Sequence, residues 1–221
     1  VKETADAILK ADQAAYLEAI EAPRDPLLAE MERFARERGE PISDPEVASF
    51  LSVTARAAAP RNVVEVGTNI GYGAIVLARA AGPNARVVTI EHDPEMVTVA
   101  RAFIERAGLA AQIEVRQGEA LRELRRIAAA EEEIDLAYID CVKEEYPEYL
   151  DVLLPKLGPR GVLIADNVLW KGFVAANDVP AREAKRVEAL RTFNRRIMSE
   201  PSLRGAILPL GDGVAYAARI T

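Results

Sequence analysis

From Val63 to Ala80 the chain reads VVEVGTNIGYGAIVLARA: a β-branched run, three glycines and an alanine-rich segment in direct succession. The β-branched run has the character of a buried strand, and the alanine-rich segment that of a helix. Between them Gly67, Gly71 and Gly73 mark a tight turn, where backbone can come close to another segment or to a ligand. A strand that feeds a helix through such a turn is the first half of a βαβ unit. That unit commits the chain to a parallel sheet with helical crossovers.

The rest of the chain repeats the pattern. Further runs are RVVTI (86–90), AQIEV (111–115), IDLAYI (134–139), GVLIA (161–165), GAIL (205–208) and VAYAARI (214–220), which with NVVEV (62–66) make seven strands. From Pro94 to Ala107, Met96, Val99, Ala100, Phe103 and Ile104 recur at helical spacing. The last two strands are separated only by Pro209–Gly213, too short for a helical crossover, so they form an antiparallel hairpin at the sheet edge. Ahead of the first strand about 60 residues read as helices. Ile8, Leu9, Ala15, Tyr16 and Ile20 form the apolar positions of the first, and Leu27, Leu28, Met31 and Phe34 those of the second. With no repeat, low-complexity tract or linker, the expectation is one α/β domain over residues 1–221, with residues 1–60 a helical cap or oligomer contact.

A net charge of −7 supplies no basic field for nucleic acid, so small or neutral partners are favoured. The single cysteine, Cys141, excludes an internal disulfide framework. No apolar run approaches the roughly 20 residues that span a bilayer. The absence of a signal-peptide pattern leads to the expectation of a cytoplasmic protein without a membrane partner.

The glycine spacing G-x-x-x-G-x-G differs from the dinucleotide fingerprint G-x-G-x-x-G, and no lysine follows Gly73 as a P-loop requires. What remains is a glycine turn after the first strand and an acid, Glu91, just past the second. A carboxylate at a strand's carboxyl end can accept both ribose hydroxyls, so a nucleoside ligand without a phosphate requirement fits. Asp140 ends the fourth strand and Asp166-Asn167 ends the fifth. Two carboxylates and an amide, without histidine or thiol, suit a hard divalent ion, Mg²⁺ first, with Ca²⁺ or Mn²⁺ as substitutes. The spacing equally allows Asp140 as a turn cap and Asp166-Asn167 as an Asx turn. Lys143, three residues past Asp140, is either a solvated charge or a group within reach of the same site.

The stretches VEVGTNIGYG (64–73), EHDPEM (91–96), IDCVKEEYPEY (139–149), ADNVLWKG (165–172) and LGDG (210–213) together resemble the cation-dependent O-methyltransferases. That family includes catechol O-methyltransferase and the caffeoyl-CoA O-methyltransferases, users of S-adenosylmethionine. The resemblance runs in order from about Ser43 to the C-terminus. It implies a Rossmann-like mixed sheet of order 3-2-1-4-5-7-6 with strand 7 antiparallel and helices on both faces. It also implies that Glu65, Gly67 and Thr68 line the methionine end of the cofactor, with Ser43 and Asp140 beside it. Glu91 then binds the ribose, and His92, Glu119 and Ala120 lie near the adenine. Asp140, Asp166 and Asn167 become the metal ligands, Lys143 the general base with a pKa depressed by metal and sulfonium, and Trp170 a wall of the acceptor pocket. Gly73 stands where the family has serine, so Gly73→Ser is expected to be tolerated and to tighten cofactor binding. Tyr146 and Tyr149 are expected to be packing residues.

The activity these residues imply is metal-dependent methyl transfer from S-adenosylmethionine to a hydroxyl of a small catechol-like acceptor, by a homodimer. The alternatives are methylation of a modified tRNA nucleoside and a non-catalytic S-adenosylmethionine-binding module.

Overall fold

The computed structural model describes residues 11–20, 25–129 and 132–220. Two helices, a strand and a third helix open the chain's main body: helix α2 (Pro26–Arg38), helix α3 (Pro45–Ala58), strand β1 (Asn62–Val66) and helix α4 (Tyr72–Ala81). Strand β2 (Arg86–Glu91), helix α5 (Pro94–Arg106), strand β3 (Ile113–Gln117), helix α6 (Ala120–Ala128) and strand β4 (Ile134–Ile139) follow. Helix α7 (Tyr146–Leu153), strand β5 (Leu157–Ala165), helix α8 (Ala184–Ser199), strand β6 (Leu203–Leu208) and strand β7 (Val214–Arg219) complete it. A further helix, α1 (Ala11–Ile20), precedes these. No helix of the described residues is long and apolar enough to cross a membrane.

Helices α2, α3 and α5 each start at an Asp-Pro pair. Asp25 accepts from the amides of Leu27 and Leu28 at 2.9 and 3.2 Å, and Asp93 from that of Glu95 at 2.8 Å. The proline after each supplies a φ already suited to the first helical turn and lacks only an N–H that would have no partner there. Asp44-Pro45 opens α3 in the same order, without the side-chain cap bond.

The sheet has the order β3-β2-β1-β4-β5-β7-β6. β7 runs antiparallel to both β5 and β6, and the other pairs are parallel. Both the strand order and the terminal hairpin match expectation. Side-chain alternation splits the core into two layers. Val63, Leu136, Tyr138 and Ile164 face α2 to α5, whereas Val64, Val66, Ile139 and Leu163 face α6 to α8. Because both faces are covered, the central strands are nearly all apolar, and the exceptions at their carboxyl ends stand out. Glu65 and Thr89 are such exceptions, at 1% and 0% exposure.

Several boundaries differ from expectation. β3 lies two residues later than AQIEV, because Gln112 is spent on the preceding turn, where its amide donates to the carbonyls of Ala78 and Gly82. β5 begins at Leu157, since the Gly158-Pro159 pair is absorbed in a register shift opposite Ile134 and Leu136 instead of ending the strand. β6 likewise starts at Leu203. The two N-terminal helices part company. Met31 is fully buried and α2 is tied to α5 by Arg106–Glu30 at 2.6 Å and by the Phe34–Phe103 ring contact. On α1, by contrast, Tyr16 and Ile20 are 65% and 59% exposed, so its apolar face does not cap the sheet; Ile8 and Leu9 lie outside the described residues.

The turn after β1 is fastened by backbone. The amides of Gly67 and Thr68 both donate to Ile90 O at 3.1 Å. Gly67 has φ +105°, and a Cβ there would overlap the carbonyl oxygen of Asp140 on the neighbouring strand end. Gly67→Ala therefore combines left-handed strain with a backbone clash. It is expected to lower stability by roughly 2 to 4 kcal/mol, measured by urea unfolding at unchanged m.

Candidate active site

The carboxyl ends of β1, β2, β4 and β5 surround a cavity of about 660 Å³. Past the strands the ladder continues by one bond each: Asp140 N–H donates to Val66 O and Asp166 N–H to Ile139 O, both at 2.9 Å. Tyr146, fully buried, donates from below to Asp166 O at 3.0 Å. Adjacent strand spacing thus brings two acids, separated by 26 positions in sequence, to one rim.

Ser43, Glu65, Gly67, Thr68, Gly73, Glu91, His92, Asp140, Lys143, Asp166, Asn167 and Trp170 all line this cavity. Glu119 and Ala120 do not. Gly118 N–H donates to Glu91 O at 2.8 Å and turns the chain, leaving Glu119 exposed and Ala120 packed on the second core layer. Both follow directly on the Gly118 turn beside Glu91, at the border of the cavity lining. Pattern reading also missed lining residues. Asn69 sits at φ +45° and joins the segment before α3 to Glu91, its amide donating to Pro41 O at 2.6 Å and its N–H to Glu91 Oε2 at 2.8 Å. Tyr138, within a strand that reads as plain core, bonds Ser43 Oγ at 2.9 Å through its hydroxyl. A polar residue beside a positive-φ turn was the available signal for Asn69; Tyr138 carries none.

Glu91 is the last residue of β2 rather than one beyond it. Its Oε1 accepts from the amides of His92 and Asp93 at 2.8 and 3.0 Å, which fixes the carboxylate at the rim. His92 is 70% exposed in its side chain, with Nδ1 3.0 Å from the same oxygen.

Glu65 lies deeper. Its Oε2 accepts from Thr89 Oγ1 at 2.5 Å, and Thr89 in turn meets Thr68 Oγ1 at 2.6 Å. Burial, and to a smaller extent the charges of Asp140 and Glu91, push its pKa up to about 8. A Cβ on Gly73 would overlap Glu65 Oε1. The missing side chain at position 73 is therefore filled by this carboxyl, and serine there is not accommodated unless Glu65 moves.

On the other side of the cavity Lys143, 8% exposed, places Nζ 2.6 Å from Asp140 Oδ1 and 5.4 Å from the Tyr146 ring centroid. Burial opposes the charged amine, but the Asp140 carboxylate outweighs it and holds the pKa above the ordinary lysine value. That direction is opposite to the depression expected for a base. Asp166 is 2% exposed, and burial together with the Asp140 charge pushes its carboxyl up to about 7. Its Oδ1 accepts from the N–H of the next residue, Asn167, at 2.7 Å, one position short of the bond that defines an Asx turn. Asn167 has φ +58°. Among the described residues no group of three or more His, Cys, Asp and Glu side chains is arranged for a metal. The rim offers two carboxylates and an amide. Trp170 closes the far wall, and Tyr146 and Tyr149 are fully buried, as packing residues should be.

A family model for O-methyltransferases matches residues 18–220. The chain belongs to the O-methyltransferase family. It is 33% identical over 200 residues to catechol O-methyltransferase of Niastella koreensis, covering 87% of this chain and 89% of that one. With catechol O-methyltransferase of Mycobacterium tuberculosis it shares 39% over 175 residues, 76% of each. The crystal structure of an O-methyltransferase from Bacillus cereus in complex with SAH superposes with a TM-score of 0.83 at 32% identity, covering 94% of this chain and 97% of that one. The activity class of the family, S-adenosylmethionine-dependent O-methyl transfer, is the one the motifs imply.

Two outcomes follow from Glu65. Gly73→Ser is expected to lower the melting temperature, and Glu65→Ala to recover much of that loss in the double variant. A coupling of about 1 to 3 kcal/mol in the thermal double-mutant cycle is the expected sign of the overlap. The second concerns pH. Below the ordinary carboxylate range Glu65 is neutral folded and unfolded alike; above it only the unfolded chain releases the proton until pH reaches about 8. Stability therefore falls across that window, by up to about 5 kcal/mol from this group. Glu65→Gln should flatten the decline in denaturation midpoints measured from pH 5 to 8.

Proposed function

We propose that this O-methyltransferase methylates one hydroxyl of a small vicinal-diol aromatic, using S-adenosylmethionine and a divalent cation, Mg²⁺ first, at Asp140, Asp166 and Asn167. The observation that carries this reading is that the Asp140–Lys143 pair and Asp166 open into the same cavity as the glycine turn. Two carboxylates crowded at one rim, one with its pKa pushed up to about 7, form a donor set whose repulsion a hard cation would offset. Such a cation supplies Lewis acidity toward a hydroxyl, and S-adenosylmethionine supplies the methyl group.

The chain's own residues do the rest. Glu65, Thr68 and Ser43 surround the methionine end, and Glu91, its carboxylate preset by backbone amides, faces the ribose hydroxyls. Lys143 takes the proton of the attacking hydroxyl, a group whose ordinary pKa is about 10, and Asp140 holds the amine in place. Trp170 bounds the ring of the acceptor. The transfer itself demands alignment of oxygen, carbon and sulfur, which is a matter of holding both molecules in one cavity. A homodimer is part of this reading, supported by the exposed apolar side chains Tyr16, Leu17 and Ile20 on α1.

Excess chelator is expected to abolish turnover while leaving SAH affinity by calorimetry nearly unchanged; full activity in chelator overturns the metal assignment. A catechol should exceed the matching monophenol in kcat/KM by at least about 100-fold, since a monophenol loses the second oxygen that orients the ring. Lys143→Ala should lower kcat far more than it raises KM for the diol. Equal rates on diol and monophenol would contradict the acceptor class.

A further inference from the structure

Past β5 the chain takes three left-handed residues in a row, Trp170 (φ +44°), Lys171 (φ +54°) and Gly172 (φ +79°). A bulky aromatic residue in that region is strained and persists only where its surroundings hold it. The backbone is held from two sides: Asp212 accepts from Lys171 N–H at 2.8 and 3.0 Å, and Asn194 donates to Val168 O at 2.9 Å. The indole ring has separate supports. Its N–H donates to Glu183 Oε2 at 2.8 Å, and the guanidinium of Arg186 lies 4.5 Å above its centroid.

Arg186 does more than stack. Nη1 meets the same Glu183 oxygen at 3.0 Å, and Nη2 reaches Glu144 Oε1 at 3.2 Å. Glu144 is the neighbour of Lys143 in the short 3₁₀ turn Lys143–Glu145. One planar side chain on the first turn of α8 thus touches both loops that form the acceptor end of the cavity, one after β4 and one after β5. Glu144, Trp170 and Arg186 all line that cavity.

We propose that Arg186 is a positioning residue for the acceptor: its guanidinium holds Trp170 over the cavity and ties it, through Glu144, to the turn that carries Lys143. The distance between the aromatic wall and the amine is then set by one fork-shaped group, not by loop packing. Lysine cannot replace it, because a single ammonium does not bridge two carboxylates and stack on a ring at once. This inference rests on the O-methyl-transfer reading for its acceptor, but not for its geometry.

Trp170 is the only tryptophan of the chain, so its emission reports this ring alone. The experiment compares the full chain with Arg186→Ala, Arg186→Lys and Glu144→Gln. It follows tryptophan emission and acrylamide quenching, SAH affinity by calorimetry, and steady-state kinetics with a catechol. In both Arg186 variants emission should move to longer wavelength and quenching should increase. The catechol KM should rise at least about fivefold, while SAH affinity stays within about twofold and kcat falls less than KM rises. Glu144→Gln should move the same readings in the same direction by less, and it serves if an Arg186 variant does not fold. Unchanged emission overturns the proposal, as does altered emission with an unchanged catechol KM, or a parallel loss of SAH affinity. If the parent chain turns over no diol, the acceptor reading under Proposed function fails by itself. The emission of Arg186→Ala then decides the brace alone, a shift supporting it and no shift overturning it.

Discussion

The site depends on how closely β1's turn passes the end of β4. Only a glycine at position 67 lets the chain cross the carbonyl of Asp140, because any Cβ would overlap that oxygen. The crossing puts Glu65 and Asp140, which belong to different strands and different sides of the cavity, within electrostatic reach of each other. The bond from Asp140 N–H to Val66 O and the next from Asp166 N–H to Ile139 O then fix three strand ends in sequence. A cofactor turn, a lysine and two carboxylates meet because a parallel sheet aligns its carboxyl ends, and because the one residue able to make the close approach is in place.

The same alignment concentrates negative charge. Glu65, Glu91, Asp140 and Asp166 face one cavity against a single buried cation, Lys143. The fold relieves this crowding in different ways for each. Glu91 is supplied with backbone N–H groups and Asp140 with the lysine, whereas Glu65 and Asp166 answer by holding their protons to higher pH. A cavity of this character favours cationic ligands over phosphates, which agrees with a glycine turn that lacks the spacing of a phosphate loop.

Most of this was legible in the sequence where the physics is local. Short β-branched runs and apolar positions at helical spacing marked the elements, and the short Pro209–Gly213 link marked the edge hairpin. The rim acids were legible because a charged residue just after an apolar strand has nowhere to go but the sheet's end. What was not legible depends on how side chains fill space. That Glu65 occupies the room above Gly73 cannot be read from either residue alone, and it makes the effect of serine there depend on how Glu65 moves. The direction the chain takes at Glu119 was hidden for a similar reason, since one bond from Gly118 to Glu91 sets that turn. Arg186, sixteen residues beyond Trp170, carries no motif at all and shows its role only through three contacts in space.

Lys143 poses the remaining chemical problem. A general base must shed its proton, yet the carboxylate at 2.6 Å that positions the amine also stabilises its charged form. These two effects come from one contact, so the amine cannot be both well held and basic unless other charge enters the cavity. At an effective dielectric of about 20 a unit positive charge about 5 Å away is worth roughly 3 kcal/mol, or about two pK units. In the proposed reaction the methyl donor and the divalent ion are both cationic, and each would act against the hold of Asp140 only while it is bound. The ion pair would then keep Lys143 protonated and in position between turnovers, with its proton released when donor and ion are both in the cavity. Coupling of this kind needs no moving part, because the charge of the ligands themselves sets the state of the base.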